Sequence, residues 1–479
     1  LAVSAPPVER VAGRYERIAW ERHERDLALA YPDGVVPANP RETQHPKGYW
    51  FDPEDAQRPI TFFETLCRHS KGEWRGQLIL LEDWQQWILG IVFGWKRPDG
   101  TRRFRIAYIE IARKNTKSTM GAGVGLYLTA ADDEPGAEVY SSATKKDQAK
   151  IVHDSAVAMV QASPELKQHV RTFRNNLHVP RLGSKFEPLG ADSSTLDGLS
   201  PHGNIIDELH AHRDRALWDV MDTAMGARRQ PLTWAITTAG IHDPESIGWL
   251  QHEHAMKVLD EVLEDDEFFA IIFAADEEDE WTDPGTWAKA NPNAGVSVKW
   301  DYLEGQCRKA QQQPSFLNTF LRLHLGRWTQ QRDRWINLEQ WNACDPVTLT
   351  AAEYEARFKE LEGALCFGGL DLSSRLDLSA LVLLFPETWD LLCRFYVPEA
   401  TVLERSKRDR VPYDAWVRDG WLIATPGNTI DYDFIERDAL QLRDRFDLRE
   451  LAFDPYNATQ IETHLGGEGI TMVSVRQGF

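Results

Sequence analysis

Between Arg102 and Thr238, four short apolar runs (RIAYIEIA, EVYSSA, NIID and LTWAITT) alternate with stretches of helical periodicity. Strands separated by helices cannot pair through tight hairpins. The crossovers make neighbours parallel, so this region reads as βαβ units around a parallel sheet. From about residue 363 the pattern changes. ALCFGGLDLS, LSALVLLFP and LLCRFYVP follow one another across short turns, as in an antiparallel meander, before a helix (DFIERDALQLRDRF) and a strand (ELAFD). Two patterns in one chain predict two domains. The boundaries read as an α/β domain over 1–335, a connector over 336–362 containing the helical run AAEYEARFKELEG, and a second domain over 363–479. A length of 479 residues suits at least two domains at about 100–200 residues each.

Around this frame, a helical stretch is predicted near Val8–Ala30, and two amphipathic helices over 61–95, the second around Trp84–Trp95. The segment from Pro244 to Trp335 reads as mostly helix, with the acidic run DEEDEWTD as a solvated loop. An apolar fraction of 42% provides for packed cores, and the absence of any apolar run of about 18 residues predicts no membrane span. The N-terminus lacks the apolar stretch of a secretory signal. The five cysteines are scattered without a CxxC pair and read as free thiols. Net charge is −20, which excludes a protein that coats nucleic acid with its whole surface and leaves room for a local basic channel.

The strongest chemical signal is RIAYIEIARKNTKSTMGAG, in which a strand runs into a polar loop, then Lys117-Ser118-Thr119, then a small-residue helix. A phosphate-binding loop has this form, with loop N–H groups and the helix N-terminus cradling phosphates. Arg113, Lys114, Asn115, Thr116, Lys117, Ser118 and Thr119 are the candidate phosphate-contacting residues, with Lys117 reaching the β and γ phosphates and Ser118 ligating Mg²⁺. Ile111 and Thr116 stand where the usual motif has glycine. NIIDE is a second signal, a short strand ending in Asp207 and Glu208. The first acid suits Mg²⁺ and the second suits polarising the attacking water. The strand ending in Thr237-Thr238-Ala239-Gly240 is a candidate γ-phosphate sensor, and Gln85 in EDWQQ offers an amide matched to adenine. For an arginine that stabilises the γ-phosphate, Arg113, Arg228 and Arg229 are candidates, and a neighbour in a ring is another source. His210 and His212 are two apart, not on one helix face, and are rejected as a metal pair.

In order and spacing these pieces resemble the large terminase subunit of tailed double-stranded DNA bacteriophages. The resemblance is carried by Trp84-Gln85 before Phe93-Gly94-Trp95, by RKNTKS at Arg113–Ser118, and by DELH at Asp207–His210. It continues with TTAG at Thr237–Gly240, Trp287–Pro292 and Gly369–Ser373, and it runs from about residue 45 to the end. It implies an α/β fold made of a P-loop ATPase with a parallel central sheet and a C-terminal RNase H-like nuclease. It also implies an ATP-driven motor that threads DNA into an empty capsid and a nuclease that cuts concatemers. The implied cofactors are ATP with Mg²⁺ in the motor and Mg²⁺ or Mn²⁺ in the nuclease. The implied partners are double-stranded DNA, the portal protein and the small terminase subunit. The free chain is expected to be a weakly associating monomer that forms a homo-oligomeric ring on the portal, in the host cell cytoplasm and not in the mature virion.

In the second domain, Asp371 and Asp454 each end a strand. Carboxylates at neighbouring strand ends can hold two divalent cations about 3.5–4 Å apart, which clamp the attacking and leaving oxygens of phosphodiester hydrolysis. Asp377 reads as a turn cap or an outer ligand. The family's third acid lies nearer the C-terminus, and no candidate stands before Phe479. Trp328 and Trp335 read as packing anchors near the domain junction. Two rival functions share parts of this pattern. One is a DNA helicase or repair nuclease with a P-loop ATPase. The other is a non-enzymatic capsid-assembly protein with a vestigial loop.

Overall fold

The computed structural model describes residues 10–190, 198–212, 215–330, 343, 349–373, 377–409, 411–455 and 458–475. Trp335 and Cys344 lie outside them. The chain divides into two compact units, Leu1–Leu338 and Glu339–Phe479.

The first unit opens with helices Arg14–Ala30 and Pro53–Leu66 and the two-residue strand β1 (Trp50–Phe51). The second helix begins near residue 53, earlier than the sequence pattern suggested, because Asp52 accepts hydrogen bonds from the amides of Glu54 and Asp55 and Pro53 fits the first helical position. The helix Asp83–Gly94 is buried on nearly every face, which corrects the reading of it as amphipathic. Strand β2 (Trp95–Lys96) pairs with β1.

The main sheet then assembles from β3 (Ile106–Glu110), β4 (Glu138–Ala143), β5 (Arg171–Phe173), β6 (Asn176–Val179), β7 (Ser184–Gly190), β8 (Pro201–Asp207), β9 (Leu232–Thr237) and β10 (Phe268–Ile272). Their order is β10-β3-β9-β8-β4-β7-β6-β5. The six strands from β10 to β7 are parallel, and β6 and β5 close one edge as an antiparallel hairpin. The βαβ pattern thus yields the parallel sheet. The β5–β7 meander and β10 were not separable by pattern, since short apolar runs such as FFAII fit helix and strand alike. The order matters for chemistry: β9 lies between β3 and β8, so the strand ending in Thr237 sits between the loop after β3 and the acids after β8.

The helix Lys117–Ala130 packs under this sheet with its glycines inward. A Cβ on Gly123 would stand 2.1 Å from the Phe63 ring, so only glycine allows this approach. Beyond β10, helices Pro284–Ala290, Trp300–Gln312 and Pro314–Leu325 build a small separate core around Trp287, Leu303 and Phe320. The acidic run is a loop that is not wholly given to solvent. Asp276 and Asp279 both grip Lys289, at 2.8 and 2.7 Å, and are mostly buried.

The second unit contains β11 (Leu365–Asp371), β12 (Ser379–Phe385), β13 (Asp390–Pro398), β14 (Ile423–Thr425), β15 (Asp447–Phe453) and β16 (Thr471–Ser474), ordered β14-β13-β12-β11-β15-β16. The first three form the antiparallel meander, and β15 returns parallel to β11. Alternation along β11 to β13 turns Leu370, Leu381, Leu383, Leu392 and Tyr396 inward, where Ile435, Ala439 and Leu442 of the helix Tyr432–Arg445 join the same core.

Candidate active sites

The loop after β3 keeps a glycine-like backbone without glycine. Lys114 and Thr116 have φ of 71° and 58°, in the left-handed region that costs a side-chain-bearing residue about 1–2 kcal/mol. Neighbouring side chains hold it there. Gln85 Nε2 donates to Thr116 Oγ1 at 2.8 Å, while Gln85 Oε1 accepts from the Glu82 amide in a capping box. Asn115 is buried and donates to Ala112 O, Arg113 O and Asn291 Oδ1, and its own oxygen accepts from the Asn293 amide. Ser297 Oγ donates to Lys114 O. Gln85, expected to read adenine, has its amide committed to the cap and the loop. It still lines, with Thr116 and Thr119, a largely apolar cavity of about 230 Å³ walled by Phe63, Trp74 and Leu80. Asn291 and Asn293 carry the loop's support and were not assigned a role from sequence. Their signal is the NPN run following the tryptophan motif.

Lys117, at the helix start, is 6% exposed, and its Nζ lies 3.4 Å from Ala112 O and 3.7 Å from Glu208 Oε1. Burial pushes its ammonium pKa down, against the pull of Glu208 and Asp207. Ser118 Oγ donates to Asp207 Oδ2 at 2.5 Å. The other oxygen, Oδ1, is buried with no hydrogen-bond partner among the described residues. Burial first, then the charge of Glu208, pushes the Asp207 carboxyl up. An unmatched buried carboxylate oxygen beside a hydroxyl is a hard-oxygen donor set of the kind a divalent cation completes.

Glu208 stands in the left-handed region with φ 57°, which turns its side chain off the strand line. Burial alone would raise its pKa. The His210 hydrogen bond and the Lys117 charge outweigh burial and hold it at about 2. His210 Nδ1 lies 3.2 Å from Glu208 Oε2, and Thr238 Oγ1 donates to the same oxygen at 3.2 Å. The His210 amide donates to Thr237 Oγ1 at 3.0 Å. Thr238 therefore meets the acid directly and Thr237 meets it through His210, a neighbour that the rejection of a histidine metal pair leaves aside. Arg113 stays with the site. Its amide donates to Leu323 O, and its charge is felt by Lys117 and Glu208. Arg228 and Arg229 do not. They precede β9 at the opposite end of the sheet from the acids, and Arg228 is spent on Glu134, Ser200 O and Gly136 O.

In the second unit, β11 and β15 run parallel with Gly369 beside Ala452 and Leu370 beside Phe453. Asp371 and Asp454 are the next residues along. Leu370 and Phe453 point into the core, so the alternation brings Asp371 and the last turn of chain at Asp454 to the opposite side, at neighbouring strand ends. Among the described residues no cluster of three or more His, Cys, Asp or Glu is suited to a metal ion. Asp377 follows β11, and its amide donates to Ser373 Oγ, so the capping side chain in that bond is Ser373 and not Asp377.

A polar loop running into the helix Lys117–Ala130, with a Ser–Asp pair and a second acid at parallel strand ends, has the layout of a P-loop ATPase, here followed by an RNase H-like sheet with Asp371 and Asp454 at neighbouring strand ends. Residues 83–250 match the terminase large subunit ATPase domain, and residues 262–479 match the terminase large subunit endonuclease domain. The large terminase subunit of Enterobacteria phage HK97 is 30% identical over 436 residues, 88% of this chain and 82% of that protein. Its crystal structure superposes with a TM-score of 0.50, covering 88% of this chain and 85% of that one. Protein YmfN of Escherichia coli K12 is 35% identical over 294 residues, 59% of this chain and 63% of its own length. The chain belongs to the terminase large subunit family. It is an enzyme with an ATPase and an endonuclease domain, which use nucleotide and divalent metal in viral DNA packaging and cleavage. This membership sets aside the helicase and scaffold alternatives. No helix among the described residues is long and apolar enough to cross a membrane.

Proposed function

We propose that the first unit hydrolyses ATP with Lys117, Ser118, Asp207 and Glu208 in the roles their positions suit, and that the second cuts double-stranded DNA with Asp371 and Asp454. The observation that carries this reading is the meeting of Lys117, the Ser118–Asp207 pair and Glu208 at the ends of β3 and β8, with one Asp207 oxygen left unmatched. Ser118 and Asp207 are the residues to hold Mg²⁺. Mg²⁺ held by Ser118 and Asp207 would supply positive charge against the phosphates. Lys117 leaves Glu208 for the phosphates as nucleotide enters. That removes one of the cations holding the carboxylate at its low pKa, so Glu208 becomes a better acceptor for a proton from the attacking water. Arg113 remains a candidate for the transition-state charge, beside an arginine from a neighbouring subunit.

Asp371 and Asp454 supply oxygen ligands suited to Mg²⁺ or Mn²⁺, which activate water and stabilise the leaving oxygen of the phosphodiester. The substrate is a concatemer of double-stranded DNA driven into a procapsid, with the portal protein, the small terminase subunit and a homo-oligomeric ring as partners in the host cell cytoplasm. At a net charge of −20 the DNA contact is confined to a basic channel, and binding weakens steeply with salt. The test is a pair of variants. Lys117→Ala weakens ATP binding, whereas Glu208→Gln still binds ATP and turns over roughly 10²–10⁴-fold more slowly, since an amide accepts no proton. Wild-type turnover in Glu208→Gln overturns the assignment.

A further inference from the structure

Beside the residues assigned above to ATP, the first unit holds a buried carboxylate to which that reading gives no role in hydrolysis. Glu110 is the last residue of β3, three residues before Arg113 of the candidate phosphate loop, and it is fully buried. Three side chains converge on it. Tyr108 donates its hydroxyl at 2.7 Å, His252 Nδ1 lies at 2.8 Å, and the Trp328 indole N–H donates to both oxygens at 3.1 and 3.2 Å. Trp328 belongs to the segment Gly326–Gln330, which leaves the helix Pro314–Leu325 through Gly326 in a left-handed cap at φ 67°. The same segment is paired, by an isolated bridge, to the chain that follows the Thr237-Thr238 pair. Ile241 bridges to Thr329, and the His242 amide donates to Thr329 O at 2.9 Å.

Gly240 makes this docking close. A Cβ there would meet the Trp328 ring at 2.7 Å and His210 Cβ at 3.0 Å, so Gly240 is wedged between the indole and the histidine that bonds Glu208. In register, Glu110 lies beside Thr237. A continuous path of direct contacts therefore runs from Glu208 through His210 and Gly240 to Trp328, and the indole is anchored from its far side by Glu110.

We infer that Glu110 and Trp328 are positioning residues that make the segment Gly326–Gln330 follow the state of the catalytic glutamate. This rests on the ATP reading above. A shift of His210 when Glu208 changes partner presses on Gly240, which has no side chain to absorb it. The displacement then passes to the Trp328 ring, and the indole bond to Glu110 sets the rest position to which the segment returns. Two grips on one short segment, one at β3 and one after β9, make it an element with discrete docked arrangements, the kind of element that carries coupling.

The test is hydrogen exchange on the full chain, with and without a β,γ-imido analogue of ATP plus Mg²⁺. In the wild type, peptides covering 207–212 and 326–330 both change protection on analogue binding. Trp328→Phe keeps a ring against Gly240 and loses the N–H donor. It is expected to retain the response at 207–212 while the response at 326–330 falls roughly tenfold, the scale of one lost hydrogen bond to a charged group. Glu110→Leu, which removes both acceptor oxygens and is checked for folding by thermal melting, gives the same loss. The double variant does no more than either single one, since both break one interaction. A Trp328→Phe chain whose 326–330 peptide responds as in wild type overturns the inference, as does a wild type that responds at 207–212 alone. Absence of any response at 207–212, with no analogue bound, overturns the ATP reading and the relay together.

Discussion

The two candidate sites differ in how much of each is assembled by the protein itself. At the ATP site nearly every functional side chain is held by another: Thr116 by Gln85, Asn115 by Asn291, Ser118 by Asp207, and Glu208 by His210 and Thr238. In the second unit, Asp371 and Asp454 are brought together by strand register, and no third acid joins them among the described residues. The first arrangement is preorganised, as electrostatic catalysis on a phosphoryl group demands. The second presents two carboxylates at neighbouring strand ends, which under the proposed cleavage reading act through a cation. Packing also differs at two particular glycines: Gly123 is jammed against Phe63, whereas a Cβ on Gly369, two residues before Asp371, meets nothing within 4 Å, although its neighbour Gly368 is closed in by Leu451 at 2.5 Å.

This contrast can be broken or sharpened by experiment. The largest expected effect is on cleavage. Asp371→Asn and Asp454→Asn each lower metal-dependent DNA cutting on the order of 10²–10³-fold, because each removes a charge that holds the ions worth several kcal/mol of transition-state stabilisation. The double variant is hardly worse than either single one, since the two acids act as a unit. A plasmid-nicking assay at saturating Mn²⁺ reads both. Next is packing: Gly123→Ala costs about 1–3 kcal/mol by overpacking against Phe63, whereas Gly369→Ala stays within about 0.5 kcal/mol. Denaturant titration of the two variants separates these outcomes, and equal losses would erase the packing difference.

The smallest effect is electrostatic. The Glu208 carboxyl is held at about 2, below its ordinary 4.5. A depressed carboxylate contributes stability that is present above about pH 4.5 and is lost as pH falls towards 2. His210→Ala removes a principal cause of the depression, so the variant's folded pKa rises and its stability declines less between pH 4.5 and 2 than that of the wild type. An unchanged acid limb in His210→Ala would show that the histidine does not hold Glu208.

Much of the first unit is legible in sequence because its signals are local. A strand, a polar loop and Lys117-Ser118 lie within one stretch, and Asp207-Glu208 ends another. What supports them is not local. Gln85 meets Thr116 across 31 positions and Asn291 meets Asn115 across 176, and nothing in either neighbourhood announces the pairing. Thus the sequence suggests Gln85 for base recognition but not its contact with Thr116, which helps hold a loop that lacks glycine. Arg228 and Arg229 look near the acids because sequence distance hides strand direction; β9 carries them to the other end of the sheet. Strand β10 escaped because five apolar residues fit helix and strand equally. In the second unit the meander is legible from its short turns, while the neighbouring placement of Asp371 and Asp454 depends on a parallel return across some eighty residues.

The central claim is that two separable chemistries reside in two units, one turning on Glu208 and the other on the Asp371–Asp454 pair. The most direct measurement runs ATP hydrolysis and metal-dependent DNA cleavage side by side on Glu208→Gln and Asp454→Asn. The account predicts crossed losses: Glu208→Gln loses hydrolysis and keeps cleavage without ATP, and Asp454→Asn loses cleavage and keeps hydrolysis. Glu208→Gln hydrolysing ATP at the wild-type rate, or Asp454→Asn cutting DNA as the wild type does, would contradict it.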